Sequence, residues 1–236
     1  MSGGYEVAYL MRDECGADIV TVRFEKPEGY TFKPGQWFTL RLDTEQGPVT
    51  RTFSHSSAPS DPFIELTTRA SGTPFKHALM GLEPGQNVHL NGPGGRLSVG
   101  DDVERVAFLV GGVGITPVRS ILRDACARGR RFDDALLLYG NRDESCVPFL
   151  GEFEAMGDIG VRTVIVYERP SEGWTGEAGF ITAETVRRHL DLSDGRPFVV
   201  TGPPVMVYAM ERVLDELEIA VERRRVERFS APASQS

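Results

Sequence analysis

An unbroken succession of apolar run, glycine turn and helical stretch restricts the fold of this chain more than any other part of its sequence. The apolar residues 106–110 lead directly into Gly111, Gly112 and Gly114, and a helical pattern follows over residues 117–128. Glycine allows the backbone to turn tightly and to approach a ligand closely, and proline suits the first turn of a helix. We therefore predict a strand, a tight turn and a helix, which is the repeating unit of a parallel sheet.

The rest of the second half continues this alternation. Apolar runs alternate with stretches of helical periodicity from about residue 102 onward. We predict a doubly wound sheet of five parallel strands in a domain that covers residues 102–236. The predicted strands are residues 106–110, 135–139, 162–166, 198–201 and 221–229, and the predicted helices are residues 117–128, 148–156, 182–190 and 204–217.

The first half consists instead of short segments rich in β-branched and aromatic residues. Glycine, proline, aspartate and serine separate these segments, as turns between strands require. We predict a small six-stranded antiparallel barrel over residues 1–101, with one helix at residues 75–82. The predicted strands are residues 6–11, 19–25, 36–42, 49–54, 63–69 and 87–91.

The composition narrows the class of protein. The 236 residues carry a formal net charge of -8, which argues against nucleic acid as a partner because binding to phosphates needs a surplus of Lys and Arg. The apolar runs are shorter than the roughly 20 residues that cross a bilayer, and the N-terminus lacks a signal-peptide pattern. We therefore expect a cytoplasmic protein without a membrane partner, present as a monomer or a weak homo-oligomer.

The cysteines and histidines do not form a metal-binding pattern. Cys15, Cys126 and Cys146 lie far apart without a Cys-x-x-Cys pair, and the four histidines lack metal-ligand spacing. We expect no metal site in this chain, so any iron–sulfur centre belongs to another protein. We interpret the three cysteines as small buried hydrophobic residues.

Two glycine turns in the second half favour a phosphate ligand. The N–H groups at the first turn, with Thr116 as a helix cap, form with the helix dipole a site suited to a pyrophosphate. A second turn at Gly202 follows another predicted strand, and doubly wound sheets bind dinucleotides at the carboxyl ends of their strands. The first turn lacks the GxGxxG spacing, so a purely structural turn is its alternative, and a Pro-initiated helix is the alternative for the second.

Three segments in a fixed order resemble the ferredoxin–NADP reductase superfamily. They are RTFSHSS at residues 51–57, GGVGITP at residues 111–117 and TGPPVM at residues 201–206. The resemblance implies a barrel that binds FAD tightly, followed by a domain that binds NADPH or NADH. It implies an oxidoreductase that transfers hydride from the nicotinamide to the flavin and single electrons to a ferredoxin or an iron–sulfur oxygenase component. The alternatives are a free-flavin or quinone reductase and a non-catalytic electron-transfer subunit that needs a partner enzyme.

The first of these segments resembles the Arg-x-Tyr-Ser flavin motif of the family. The likeness implies that Arg51 pairs with a flavin phosphate, that Phe53 lies against the flavin, and that Ser54 forms a hydrogen bond near flavin N5. Phe53 replaces the tyrosine of the family, so a phenolic hydrogen bond is lost while stacking is retained. The resemblance also implies that Thr73 and Lys76, at the start of the predicted helix at residues 75–82, bind the flavin pyrophosphate. The alternative is a capped surface helix with a solvated lysine. The implied flavin contacts are Arg51, Thr52, Phe53, Ser54, Thr67, Thr68, Arg69, Gly72, Thr73, Phe75 and Lys76.

The resemblance also implies residues that bind and orient the nicotinamide nucleotide. Thr201 replaces the cysteine that lies beside the nicotinamide in the family, and Phe229 resembles a terminal aromatic residue that approaches the flavin; a core phenylalanine is the alternative. With Ser54 these two residues form the implied catalytic set. Arg142 either meets a 2′-phosphate or faces solvent, so NADPH and NADH both stay open. The implied nucleotide contacts are Gly111, Gly112, Gly114, Ile115, Thr116, Pro117, Asn141, Arg142, Gly202, Pro203, Pro204 and Met206.

Overall fold

The computed structural model describes residues 4–229, apart from the side chain of Cys146. The chain forms two compact units. The first comprises the chain up to Ser98 together with Thr116–Ala127, and the second comprises Val99–Ile115 and the chain from Arg128 onward. One helix therefore groups with the first unit although it lies within the second half of the sequence. The division after residue 101 remains a prediction.

The first unit contains a six-stranded antiparallel sheet, as the sequence predicts. In space the strands follow the order β4-β3-β6-β1-β2-β5, and all six contribute side chains to one apolar core. Alternate residues of a strand point to the same face of the sheet, and in β3 the alternate residues Phe38, Leu40 and Leu42 are buried in that core. The elements are β1 (Tyr5–Glu14), β2 (Ile19–Glu25), β3 (Trp37–Thr44), β4 (Gly47–Ser54), β5 (Phe63–Arg69), β6 (Asn87–Gly94) and the helix α1 (Pro74–Met80).

The second unit contains a parallel sheet whose strand order reverses between β7 and β11. The order in space is β10-β9-β8-β7-β11-β12, so the chain runs outward on one side of β7 and then returns to its other side. The strands are β7 (Arg105–Gly111), β8 (Asp134–Asn141), β9 (Val161–Tyr167), β10 (Glu177–Ala178), β11 (Phe198–Gly202) and β12 (Arg224–Arg228). The helices of this half of the sequence are α2 (Ile115–Ala127), α3 (Leu150–Glu154), α4 (Ala183–His189) and α5 (Pro204–Glu216).

Three details correct the sequence predictions. The parallel sheet has six strands and not five, because β10 spans only two residues and is too short to give a periodic pattern. The predicted strand at residues 221–229 is shorter, since a 3-10 turn occupies Val221–Arg223 before β12. Cys126 is exposed and Cys15 is half-buried, so the expectation of buried cysteines is wrong for Cys126.

Among residues 4–229, no helix combines the length and the apolar character that crossing a membrane requires.

Candidate functional site

The implied flavin motif lies on β4, which is the first strand in the spatial order of the six-stranded sheet of the first unit. Arg51 pairs in register with Leu40 and Phe53 with Phe38, so both point to the same face of the strand. The ring of Phe53 lies 5.7 Å from that of Phe75, and it packs against the apolar core of the first unit. Phe53 thus supplies a partly exposed aromatic wall.

Arg51 retains most of its hydrogen-bonding capacity. Its Nη1 donates to the carbonyl of the neighbouring Thr50 at 3.0 Å, and no carboxylate of residues 4–229 forms an ion pair with it. A guanidinium carries five N–H donors in a planar fork, which suits a phosphate. Thr52 is exposed on the opposite face of β4, whereas Ser54 at the end of the strand is buried.

The residue that follows Ser54 is a histidine buried in the first unit. The ring of His55 stacks on that of Phe32 with centroids 3.7 Å apart. Its Nε2 lies 3.0 Å from the hydroxyl of Tyr30, and its Nδ1 lies 2.7 Å from the carbonyl oxygen of Gln36. Burial lowers the pKa of His55 to about 4, because desolvation disfavours the imidazolium.

This buried imidazole makes stability depend on pH. Above the ordinary pKa of 6.5, His55 is neutral in both the folded and the unfolded chain; below it, only the unfolded chain readily binds the proton. The free energy of unfolding should therefore fall as the pH is lowered from 6.5 to about 4, by about 3 kcal/mol in total. Denaturant titrations across this range measure the loss. A His55→Phe variant should lose less stability over the same range, and an equal loss in both proteins would contradict this assignment.

The end of β5 and the start of α1 carry the other implied flavin contacts. Gly72 has a φ of +106° and open space where a Cβ would project, so its backbone is accessible. Thr73 caps α1, its hydroxyl accepting a hydrogen bond from the backbone N–H of Lys76 at 3.3 Å. Partial burial lowers the pKa of Lys76. Among the remaining residues, Thr67, Thr68 and Phe75 are buried, and Arg69 is half-buried at the end of β5.

In the second unit, the structure brings the two predicted glycine turns together. Strands β7 and β11 lie side by side, and the hydroxyl of Thr201 donates to the carbonyl of Gly114 at 2.7 Å. A Cβ on Gly114 would lie 2.5 Å from the carbonyl oxygen of Thr201 and 2.6 Å from the Cα of Gly202. The sulfur of Met206 would lie 3.1 Å from a Cβ on Gly111 and 3.0 Å from a Cβ on Gly202. The two turns thus form one backbone-lined region at the carboxyl ends of the strands.

The start of α2 differs in one detail from the prediction. A 3-10 turn at Gly112–Gly114 precedes the helix, which begins at Ile115. Thr116 therefore lies inside the first helical turn and does not act as the cap that we predicted. Gly112 has a φ of +51° and open space at the Cβ position. Ile115, Thr116 and Pro117 are buried.

Helix α5 begins at Pro204 after Pro203, as the second turn predicts. Phe229 lies beside that turn, since its N–H donates to the carbonyl of Gly202 at 3.0 Å. Its half-buried position does not support the alternative of a core phenylalanine.

Asn141 ends β8 at the same edge of the sheet. The residue is only 8% exposed, and its Oδ1 lacks a hydrogen-bond partner in the described chain. A buried acceptor without a donor is costly, so this atom is suited to a ligand that brings one. Arg142 is exposed, and its carbonyl accepts a hydrogen bond from the N–H of Arg169 at 2.8 Å.

Sequence reasoning missed a buried polar network in the first unit, centred on Glu65 and Arg119. Both residues are buried and form an ion pair between Oε1 and Nη1 at 2.5 Å. The available signal was a charged residue at a core position, since Glu65 stands within an apolar strand pattern and Arg119 near the start of a helix.

Comparisons with known proteins identify oxidoreductases that are similar to this chain. The family described as "Oxidoreductase NAD-binding domain" matches residues 108–212. The ferredoxin–NADP reductase B of Sorangium cellulosum is 32% identical over 216 residues, which cover 86% of this chain and 87% of that protein. The stachydrine N-demethylase reductase subunit Stc4 of Rhizobium meliloti is 28% identical, over 91% of this chain and 63% of its own.

Solved structures show the same fold. A ferredoxin NADP+ reductase from Neisseria gonorrhoeae, with bound FAD and NADP, has a TM-score of 0.86 at 22% identity and covers 98% of this chain and 100% of its own. The Amycolatopsis cytochrome P450 reductase GcoB has a TM-score of 0.82 at 26% identity, over 99% of this chain and 72% of its own.

Proposed function

Because this chain belongs to the ferredoxin–NADP reductase family, we propose that it transfers hydride from NADPH or NADH to tightly bound FAD and passes single electrons to a redox protein. The acceptor would be a ferredoxin or an iron–sulfur oxygenase component. Relatives that are named as reductases of ferredoxin and as a demethylase reductase subunit support this class of acceptor. The proposal includes a cytoplasmic location.

One observation carries the proposal, namely the contact between the two glycine turns at the switch point of the parallel sheet. The hydrogen bond from Thr201 to Gly114 fixes a region lined by backbone, where a pyrophosphate can approach closely. The unpaired Oδ1 of Asn141 lies at the same edge, at the end of β8, and can accept a hydrogen bond from the nucleotide. These residues would bind and orient NAD(P)H.

The residues of the first unit also fit FAD. Arg51 has donors to spare for a phosphate, Phe53 offers an apolar wall, and the open backbone at Gly72 precedes the helix start at Thr73. FAD held by these residues would supply the redox chemistry, which is an exchange of hydride with the nicotinamide and of single electrons with the acceptor. The chain would bind and orient the flavin and nicotinamide rings and exclude water. Ser54 would orient the flavin by donating a hydrogen bond near its N5.

The absorbance spectrum of the purified protein under anaerobic conditions tests the proposal. We expect flavin bands that bleach when NADH or NADPH is added, and the nucleotide that bleaches them faster is the preferred donor. Reoxidation by a ferredoxin in single-electron steps then tests the acceptor class. A colourless protein that reduces added flavin would instead indicate a free-flavin reductase. A yellow protein that neither nucleotide bleaches would indicate a subunit that depends on a partner enzyme.

A further inference from the structure

A buried ion pair joins strand β5 to helix α2 within the first unit. The side chains of Glu65 and Arg119 are only 1% and 8% exposed. The second carboxylate oxygen of Glu65 accepts a hydrogen bond from Nε of Arg23 at 2.8 Å. The proposed reaction uses none of these three residues.

The pair holds the short segment that follows the flavin motif. Ser56 donates through its hydroxyl to Oε1 of Glu65 at 3.0 Å, and its carbonyl accepts from Nη1 of Arg119 at 2.8 Å. Ser57 accepts through its hydroxyl from the N–H of Glu65 at 3.2 Å, and through its carbonyl from the hydroxyl of Ser120 at 2.7 Å. Both serines are completely buried, so side chain and backbone are fixed at each position.

Such a network is a costly way to stabilise a core. Removing two charges from water costs free energy that their attraction does not always recover, and apolar side chains often replace a buried pair without loss of stability. A fully bonded polar network does fix one geometry, because each donor and acceptor accepts few alternatives. The geometry fixed here is that of residues 56 and 57, directly after Ser54 and His55.

We propose that Glu65 and Arg119 are positioning residues for the flavin, which act by holding residues 54–57 so that Ser54 is presented to the cofactor. This inference rests on the proposed function. It assigns a role to a buried ion pair and to the hydroxyl of Ser120, none of which is expected to touch FAD.

The test combines one double variant, one mild variant and one control. Glu65→Gln/Arg119→Met removes both charges of the pair together, and Arg23 keeps Asp13 as an ion-pair partner at 3.5 Å. Ser120→Ala removes only the hydrogen bond to the carbonyl of Ser57. Arg123→Gln is the control, because Arg123 lies one turn further along α2 and pairs with Asp61 at 2.9 Å, outside residues 54–57. For each protein, the dissociation constant of FAD, the reduction potential of the bound flavin and the thermal unfolding of the apoprotein are measured.

The double variant should bind FAD about tenfold more weakly and show a shifted flavin potential, and Ser120→Ala should bind FAD about threefold more weakly. Arg123→Gln should match the wild type in affinity and potential. A folded double variant with unchanged affinity and potential overturns the inference. If the double variant does not fold, Ser120→Ala decides, and unchanged affinity in that variant overturns the inference. A wild-type protein that binds no FAD overturns both this inference and the proposed function.

Discussion

Arg51→Ala is expected to weaken FAD binding roughly a hundredfold while leaving the fold intact, because charge-assisted hydrogen bonds to a phosphate contribute about 3 kcal/mol. The guanidinium of Arg51 donates a hydrogen bond to the carbonyl of Thr50 and pairs with no carboxylate of the described chain. Its removal therefore breaks no structural ion pair. The ratio of flavin to protein absorbance after purification gives occupancy, and titration of the apoprotein gives the dissociation constant.

Arg41→Ala is the matched control for this experiment. Arg41 is an exposed arginine on the neighbouring strand β3, where it pairs in register with Thr50. Arg41→Ala changes the net charge by the same amount as Arg51→Ala, so a nonspecific effect of losing positive charge would appear equally in both variants. Full flavin occupancy in the Arg51→Ala protein would refute the assignment of the phosphate contact.

Gly114→Ala is expected to cost about 3 kcal/mol of stability and to abolish reduction by NAD(P)H, because overpacking against backbone cannot be relieved by a rotamer change. The added Cβ would lie 2.5 Å from the carbonyl oxygen of Thr201 and 2.6 Å from the Cα of Gly202. The two turns must then separate, and the hydrogen bond from Thr201 to Gly114 would break. Denaturant unfolding and the rate of bleaching by NADPH or NADH measure the two effects.

Gly151→Ala provides the comparison. Gly151 lies in α3 with a φ outside the left-handed region and nothing within 4 Å of its Cβ position. Alanine favours a helix over glycine, so this variant should be as stable as the wild type or slightly more stable. A Gly114→Ala protein of wild-type stability and activity would show that the turns tolerate separation.

Much of the fold follows from local pattern. The bounds of β2 and β5 agree residue for residue with the predicted segments 19–25 and 63–69, since turn-forming residues delimit both strands. Strand β10 was missed because two residues carry no period, and its pairing with β9 is a tertiary effect. Thr116–Ala127 groups with the first unit, where Arg119 of this helix pairs with Glu65, and no local pattern encodes a contact over so long a sequence separation.

The candidate site was predictable where backbone chemistry determines it. Glycines at strand ends indicated the two turns, and strand adjacency in a doubly wound sheet explains why they meet. The hydroxyl of Thr201 was expected beside the nicotinamide, but its bond to Gly114 could not be inferred, because a hydrogen bond across 87 residues leaves no trace in spacing. The unpaired Oδ1 of Asn141 was likewise invisible, since it depends on burial.

The threonine at position 201 also affects how readily the proposed nucleotide site can be oxidised. The family resemblance implies a cysteine at this position, and a thiol can be oxidised to sulfenic acid and then to sulfinic and sulfonic acids. The hydroxyl of Thr201 cannot undergo these oxidations. Thr201 is completely buried, and its hydroxyl donates a hydrogen bond to the carbonyl of Gly114. In the proposed reaction, a single electron lost to O₂ would give superoxide, which dismutates to peroxide, so we expect position 201 to resist both oxidation by that peroxide and thiol-alkylating reagents.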